Sequence, residues 1–413
     1  MPFSTGRLHG THPVNLQQIL SEADHCVKCG LCLPHCPTYR ITANEGDSPR
    51  GRIALIQAIA EGALTSPRAD LHLDSCLGCR NCEPACPSGV KYGALIDSAR
   101  QIQAANSGLK DPGVLWLASH AHKSWGISAL RIYQNSGIRH LARAAGGEKF
   151  RRLDRLLPQA GPHEPKRETF PAAGKTRRRV GLFTGCVGRL ADKNALKSAT
   201  AVLNHLGIEV VMPADQHCCG AMHQHGGAPE RGGQLAEKTL QTFNHRELDA
   251  IVTLASGCGA QLLEQLAQGS PDTPPVLDFS QFLMQLPWLT ELNLKPLSGL
   301  ALLHTPCTLR NVLGCPDDPL HALGLIPGLE IRPMPDTGCC GGAGTYMLSQ
   351  PEMADSLRSP LIDSISSSEP DFVVTSNTGC ALHLRAGLEQ ADSSIPVIHP
   401  AELIAGQLRP SRA

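Results

Sequence analysis

The sequence predicts a multidomain chain of mixed α+β and α/β class. A small α-helical N-terminal domain is followed by a helical segment and then by two tandem α/β repeats with parallel sheets. Three observations carry this expectation. The runs CVKCGLCLPHCP (26–37) and CLGCRNCEPACP (76–87) write C-x2-C-x2-C-x3-C-P twice. An internal repeat with an offset of 121 to 122 residues fills the C-terminal half. Within each copy, short β-branched runs alternate with helical stretches, as in βα units feeding a parallel sheet.

The totals narrow the classes. The 413 residues allow two to four domains, and 41% apolar residues suffice for buried cores. Lys plus Arg and Asp plus Glu both total 37, so the charge balance gives no support to a nucleic-acid partner. Seventeen cysteines are an odd number. The first twenty residues lack the basic and apolar regions of a secretory signal. Thiols in such number, without a secretory context, point to metal or redox chemistry rather than a disulfide framework. The most apolar stretch, PGVLWLASHAHKSWGISAL (112–130), is interrupted by two His and a Lys, so no transmembrane helix is expected. The expected location is cytoplasmic, with any membrane contact peripheral on the cytoplasmic face of the inner membrane.

In residues 1–105, each C-x2-C-x2-C stretch wraps backbone around three corners of an iron–sulfur cubane. The fourth cysteine, before proline, ligates the other cluster in two-cluster ferredoxins. The spacing therefore assigns Cys26, Cys29, Cys32 and Cys86 to one [4Fe–4S] cluster, and Cys76, Cys79, Cys82 and Cys36 to a second. Pro37 and Pro87 turn the chain away from the clusters. Structural zinc would use two C-x2–4-C knuckles with four ligands in all, which this doubled pattern fits poorly. Between the runs, GDSPRGRIALIQAIAEGAL (46–64) predicts a helix starting near Pro49 or Arg50, capped by Asp47 or Ser48. Ile53, Leu55, Ile56 and Ile59 form its apolar face. Arg50 and Arg52 either steady cluster charge or a partner's carboxylates, or belong to an ordinary solvated helix start.

Residues 106–179 read as helical to about 160, with a Pro-, Gly- and charge-rich linker at 158–179. The arginines at 177–179 read as a solvated edge rather than a site for anionic lipid.

The repeat occupies 180–292 and 298–408. VGLFTGC (180–186) matches LALLHTPC (300–307), GIEVVMPADQHCCGAMH (207–223) matches GLEIRPMPDTGCCGGAG (328–344), and DAIVTLASGCGAQL (249–262) matches PDFVVTSNTGCALHL (370–384). The cysteines fall at or shortly beyond strand ends, where open α/β sheets bind ligands. One copy gathers Cys186, Cys218, Cys219 and Cys258, and the other gathers Cys307, Cys339, Cys340 and Cys380. A disulfide between neighbouring cysteines closes a strained ring, and the glycine after each pair permits φ > 0. These sites are therefore expected to hold an iron–sulfur cluster or zinc, or to do thiol redox work. Cys315 has no counterpart and reads as an ordinary small residue.

The twin runs, SPRGRIALI (48–56), both CCG triplets, SGCG (256–259), TPCTLRN (305–311) and CCGGAGTY (339–346) resemble the iron–sulfur subunit of bacterial glycolate oxidase (glycolate dehydrogenase). The similarity covers nearly the whole chain. It implies a ferredoxin-type N-terminal domain, two cysteine-rich CCG domains and an electron-transfer role. It further implies a partner subunit whose FAD oxidises glycolate to glyoxylate, and a membrane quinone as acceptor. No catalytic residue is expected in this chain. Iron–sulfur subunits of lactate or glycerol-3-phosphate dehydrogenase complexes share the architecture, and the CCG domains also resemble those of heterodisulfide reductases. One departure stands out: Gln261 and His383 occupy the place of the second thiol in the fuller Cys-x2-Cys motif. His383 is either a further ligand or a structural residue.

Overall fold

The computed structural model describes residues 15–109, 111–120, 124–158, 167–244, 246–267 and 273–409. It forms two compact units, Met1–Pro112 with Gly220–Gln234, and Gly113–Cys219 with Leu235–Ala413.

The first unit is helical: Leu16–Asp24, Pro37–Thr42, Pro49–Ala60, Pro67–Asp74 and Tyr92–Ser107, joined by the short helix Ala221–His225. Three of these begin with proline, whose missing N–H costs nothing in a first turn and whose fixed φ suits one. At Pro49 the expected cap is Ser48, whose Oγ accepts from Gly51 N at 3.0 Å. A Cβ on Gly51 would lie 1.9 Å from the Glu45 carbonyl oxygen, so only glycine fits there. Ile53 and Ile56 enter the core with Ile19, Leu73, Leu95 and Ile96, beside Cys76 and Cys82. Helix Ala221–His225 packs on Tyr92–Ser107. There Asp97 meets His225 Nδ1 at 3.0 Å and accepts from Gln224 Nε2 at 3.3 Å.

Arg52 is the largest fully buried side chain of this unit, 1% exposed. Its Nε donates to His72 O at 2.7 Å, and its Nη2 donates to Ser75 Oγ at 2.7 Å and Thr38 Oγ1 at 3.0 Å. Asp47 lies 3.6 Å from Nη2. A buried cation must be paired and fully hydrogen-bonded, and this one is. Arg50, by contrast, is partly exposed and pairs with Glu45 at 2.7 Å.

The second unit holds two sheets. Strands β1 (Thr169–Phe170), β2 (Arg178–Phe183), β3 (Ile208–Val211), β4 (Ala250–Thr253) and β5 (Val276–Asp278) order as β1-β3-β2-β4-β5. Strands β6 (Gly299–His304), β7 (Leu329–Pro333), β8 (Phe372–Thr375) and β9 (Val397–Ile398) order as β7-β6-β8-β9. Apart from β1, which runs antiparallel to β3, all pairings are parallel. The two copies thus share one strand order, as their sequences predict. One continuous core, including Val180, Leu203, Phe279, Phe282, Leu303 and Val374, spans both sheets. The stretch expected as a linker is partly structured, since it supplies β1, while 159–166 lie outside the described residues. Arg177 pairs with Glu291 at 2.7 Å and Arg179 with Glu209 at 2.6 Å, and Arg178 lies 5.6 Å from the Trp288 ring. Among the described residues no helix is long and apolar enough to cross a membrane.

The expected helical segment comprises Pro112–His120, Ser124–Asn135, Ile138–Ala145 and Glu148–Arg155. Asp154, 1% exposed, ties it together: Tyr133 Oη donates at 2.7 Å, Arg139 Nε donates at 3.1 Å, and Arg143 Nε also donates. Arg152 anchors the segment through Asp355 at 2.6 Å.

Burial pushes the Asp154 carboxyl up, but the Tyr133, Arg139 and Arg143 hydrogen bonds outweigh it and hold the group below the usual range. Its stabilising contribution is complete above its unfolded value, near pH ~4, and is lost as pH falls through the lower folded value. Hydrogen exchange should show protection of 124–155 falling below about pH 4. Asp154→Asn should cost about 2–3 kcal/mol at neutral pH and remove that acid step; an unchanged acid step in the variant would contradict the assignment. Arg52→Ala should destabilise the first unit by about 3–5 kcal/mol, because Asp47 is left without its buried cation. Denaturant titration of the full chain, followed by exchange in 15–109, measures this, and an unaltered first unit would show the ion pair to be dispensable.

Candidate metal centres

The two ferredoxin-type loops share one backbone device. Lys28 and Gly30 have φ of 58° and 87°, and the matching residues Gly78 and Arg80 have 64° and 61°. Left-handed residues alternating with ordinary ones turn successive N–H groups into one concavity, which suits an anion. Lys28 and Arg80 adopt this conformation at a steric cost that glycine would not bear.

Cys26, Cys29, Cys32 and Cys86 all line one cavity, with Cys82, Pro87, Arg50 and Tyr92 also on its wall. The cysteine from the second run therefore stands with the first three. For the other set, the Cys82 thiol is pushed well up by burial and then by the charges of Cys79, Cys76 and Cys36. Donors converge on these sulfurs. Gly78 N lies 3.4 Å and Tyr92 Oη 3.5 Å from Cys76 Sγ, and Arg52 Nη1 lies 3.8 Å from Cys36 Sγ. Burial opposes the Arg52 charge, but the sulfurs of Cys76 and Cys36 and the Asp47 carboxylate around it outweigh burial and keep the guanidinium charged. Eight grouped thiols, inward N–H groups and a buried cation fit an anionic iron–sulfur group.

In the second unit, Cys186 and Cys307 follow β2 and β6, the vicinal pairs follow β3 and β7, and Cys258 and Cys380 follow β4 and β8. The sheet order reverses between β2 and β4 and again between β6 and β8, the position at which open α/β sheets form their crevice. Cys186 Sγ lies 3.4 Å from Cys218 Sγ, while Cys219 is hydrogen-bonded to Cys218 and Cys258. In the second copy Cys307 pairs with Cys339, and Cys340 with Cys339 and Cys380. No cysteine of the chain is in a disulfide. The glycine after each vicinal pair is left-handed, Gly220 at 87° and Gly341 at 83°. A Cβ there would meet the Gly232 oxygen at 2.1 Å or the Ala354 oxygen at 2.6 Å. Hydrogen bonding to Cys218 and burial push the Cys186 thiol well up, and hydrogen bonding to Cys339 and burial do the same at Cys307. Thiols so crowded and dry ionise together only beside a cation, which is the behaviour of a metal site.

The two copies meet at these ends. Ser256 N donates to Ser376 O at 2.9 Å, and Ser256 Oγ lies 2.8 Å from Thr308 Oγ1. Asn377 serves both copies: its Oδ1 accepts from Gly257 N at 3.2 Å, and its Nδ2 donates to Cys380 Sγ at 3.2 Å.

His383 is not among the thiols' neighbours. Its Nε2 lies 3.1 Å from the Ala354 carbonyl oxygen and its Nδ1 3.5 Å from Arg358 Nη1, so it is a structural residue. Gln261 is buried. Cys315 is buried with Leu309 and Leu313. The histidine that does approach the thiols is His304, at the end of β6. A ring nitrogen of His304 and the sulfurs of Cys340 and Cys380 lie within 4.8 Å of one another, all buried. Burial and the Arg310 charge hold His304 down to about 4, so its imidazole is neutral. Sequence reasoning missed it, although aligning the copies places His304 opposite Phe183, a polar residue against an apolar one.

Comparison with known proteins agrees with this geometry. Residues 22–90 match the 4Fe-4S dicluster domain, and 180–263 and 301–385 match the cysteine-rich domain CCG. A probable glycolate oxidase iron–sulfur subunit of Bacillus subtilis is 34% identical over 93% of this chain and 93% of its own length. The glycolate oxidase iron–sulfur subunit of Escherichia coli is 32% identical over 87% of this chain and 89% of its own. Lactate utilization protein A of Bacillus cereus is 26% identical over 55% of this chain and 98% of its own length. Dicluster domain, paired CCG domains and similarity along nearly the entire length together place the chain in the family of glycolate oxidase iron–sulfur subunits.

Proposed function

We propose that this chain is the electron-transfer subunit of a glycolate-oxidising complex, passing electrons from a partner subunit's FAD to a membrane quinone. The observation that carries the reading is the company of Cys86 with Cys26, Cys29 and Cys32 around one cavity, together with the grouping of Cys36 with Cys76, Cys79 and Cys82. When bound there, two [4Fe–4S] clusters supply one-electron carriers. The chain's own residues hold them. The eight cysteines would ligate them as thiolates, the left-handed loops would offer N–H groups, and Arg52 and Tyr92 donate toward Cys36 and Cys76. The domain plan we propose assigns 1–105 to this task, 106–179 to the helical connection, and 180–292 and 298–408 to the CCG domains. Cys186, Cys218, Cys219 and Cys258 form one further metal site, and Cys307, Cys339, Cys340 and Cys380 the other. Each holds an iron–sulfur cluster or zinc.

Oxidation of glycolate to glyoxylate belongs to the FAD-bearing partner in this reading, because no G-x-G-x-x-G follows a strand in this sequence. Attachment to the membrane is peripheral. The relative named lactate utilization protein A favours a second reading, in which the same construction serves a complex that oxidises lactate.

Anaerobically purified chain should carry at least about eight iron atoms, four for each cubane. Cys36→Ser should damage the cluster held mainly by Cys76, Cys79 and Cys82, read by electron paramagnetic resonance after reduction. Zinc alone in the metal analysis would sink the electron-transfer reading. The isolated chain should also reduce no artificial dye with glycolate, and should do so only when its flavoprotein partner is added. Turnover by partner-free, flavin-free protein would place the substrate chemistry on this subunit instead.

A further inference from the structure

We propose that His304 is a metal ligand of the second CCG site, joining Cys340 and Cys380 in a mixed nitrogen–sulfur set; the first copy carries Phe183 at the matching position. This assignment deepens the reading of the CCG cysteines as metal sites and rests on it. The donor atoms of the three residues lie within 4.8 Å of one another, and the residues are 6%, 2% and 3% exposed. Ligand atoms on one tetrahedral ion lie roughly 3.5 Å apart, so a closure of about 1 Å completes the set.

The surroundings orient the donors. His304 Nδ1 lies 3.0 Å from Thr375 Oγ1 at the end of the neighbouring strand β8. With Nδ1–H donating there, the lone pair of Nε2 is left for the ion, the arrangement that metal-binding histidines use. Asn377 Nδ2 donates to Cys380 Sγ at 3.2 Å and steadies that sulfur as a thiolate. Cys339, hydrogen-bonded to both Cys340 and Cys307, stands next to the set as a further thiol.

The fold does not itself demand an imidazole at this place. The other copy builds the same strand end with Phe183, buried at 3% exposure. His383 does not compete for this role, since it is held by Ala354 and Arg358. One neutral nitrogen with two thiolates suits a borderline divalent ion, Zn²⁺ or Fe²⁺, and two thiol protons leave to solvent when it binds. The first copy offers only sulfur from the corresponding positions. The two CCG sites therefore differ in donor type: the second adds a neutral imidazole to the four cysteines that both copies carry, where the first has Phe183.

The test uses the full-length chain, purified anaerobically with ¹⁵N-labelled histidine and titrated with Co²⁺ as probe. Bound Co²⁺ should show coupling to a histidine nitrogen in pulsed electron–nuclear spectroscopy. His304→Phe, the residue the first copy already carries, should abolish the coupling and weaken Co²⁺ binding at that site at least about tenfold. His383→Gln should keep it. If His304→Phe does not fold, His304→Gln makes the same comparison, and a wild-type chain without nitrogen coupling overturns the assignment on its own. If Cys340→Ser and Cys380→Ser abolish Co²⁺ binding while no nitrogen coupling appears, the site is metal-binding and all-sulfur, and only the role of His304 fails. If those serine variants bind Co²⁺ as wild type does, the metal-site reading of the second copy fails, and this inference with it.

Discussion

Mutual repulsion of crowded sulfurs is the constraint on which both units are built. Two thiolates 4 Å apart cost about 4 kcal/mol at an effective dielectric of 20, and far more in a dry interior. Four gathered thiols therefore keep their protons unless something positive is close at hand. In the first unit that something is partly backbone and partly Arg52. The loops turn N–H groups inward through left-handed residues, two of them not glycine. Arg52 carries a full charge into a region where it is 1% exposed. Its burial makes sense only beside Asp47 and the sulfurs of Cys36 and Cys76. In the second unit Arg189, Arg310 and Arg358 act on Cys186, Cys307 and Cys340, and the Asn377 amide and the His304 imidazole stand beside Cys380 and Cys340.

This division explains what the sequence made legible. Cysteine spacing is a local property, so the twin runs could be read directly as a dicluster pattern. The repeat was readable because two copies of one pattern confirm each other, and the shared strand order follows from it. The Ser48 cap and the apolar face of the Pro49–Ala60 helix were equally local.

What escaped depended on distance along the chain. From sequence Arg52 reads equally as a group steadying cluster charge or as a solvated helix start, and its burial shows only where His72 and Ser75, some twenty residues on, close over it. The edge strand β1 hides in a Pro- and charge-rich stretch because two residues pairing with β3 leave no periodic trace. Residues 220–234 sit inside the first repeat in sequence, yet pack with the N-terminal helices through contacts such as Asp97 with His225. His383, which from sequence reads as either a further ligand or a structural residue, faces carbonyl and guanidinium groups. His304, which meets the thiols, looks from sequence like the end of an apolar strand.

Asn377 has a consequence for the ancestry of the paired domains. Two identical copies associating about a two-fold axis must make every contact twice, since residue i meets j wherever j meets i. Joining the copies in one polypeptide lifts that obligation. Here the amide that links the sites, accepting from Gly257 and donating to Cys380, has Ala255 as its counterpart, a side chain with no polar atom. Within one polypeptide, one half can thus carry a bridging group that the other does not match. Halves that have diverged in this way are no longer interchangeable, and neither could now be replaced by a second copy of its sibling.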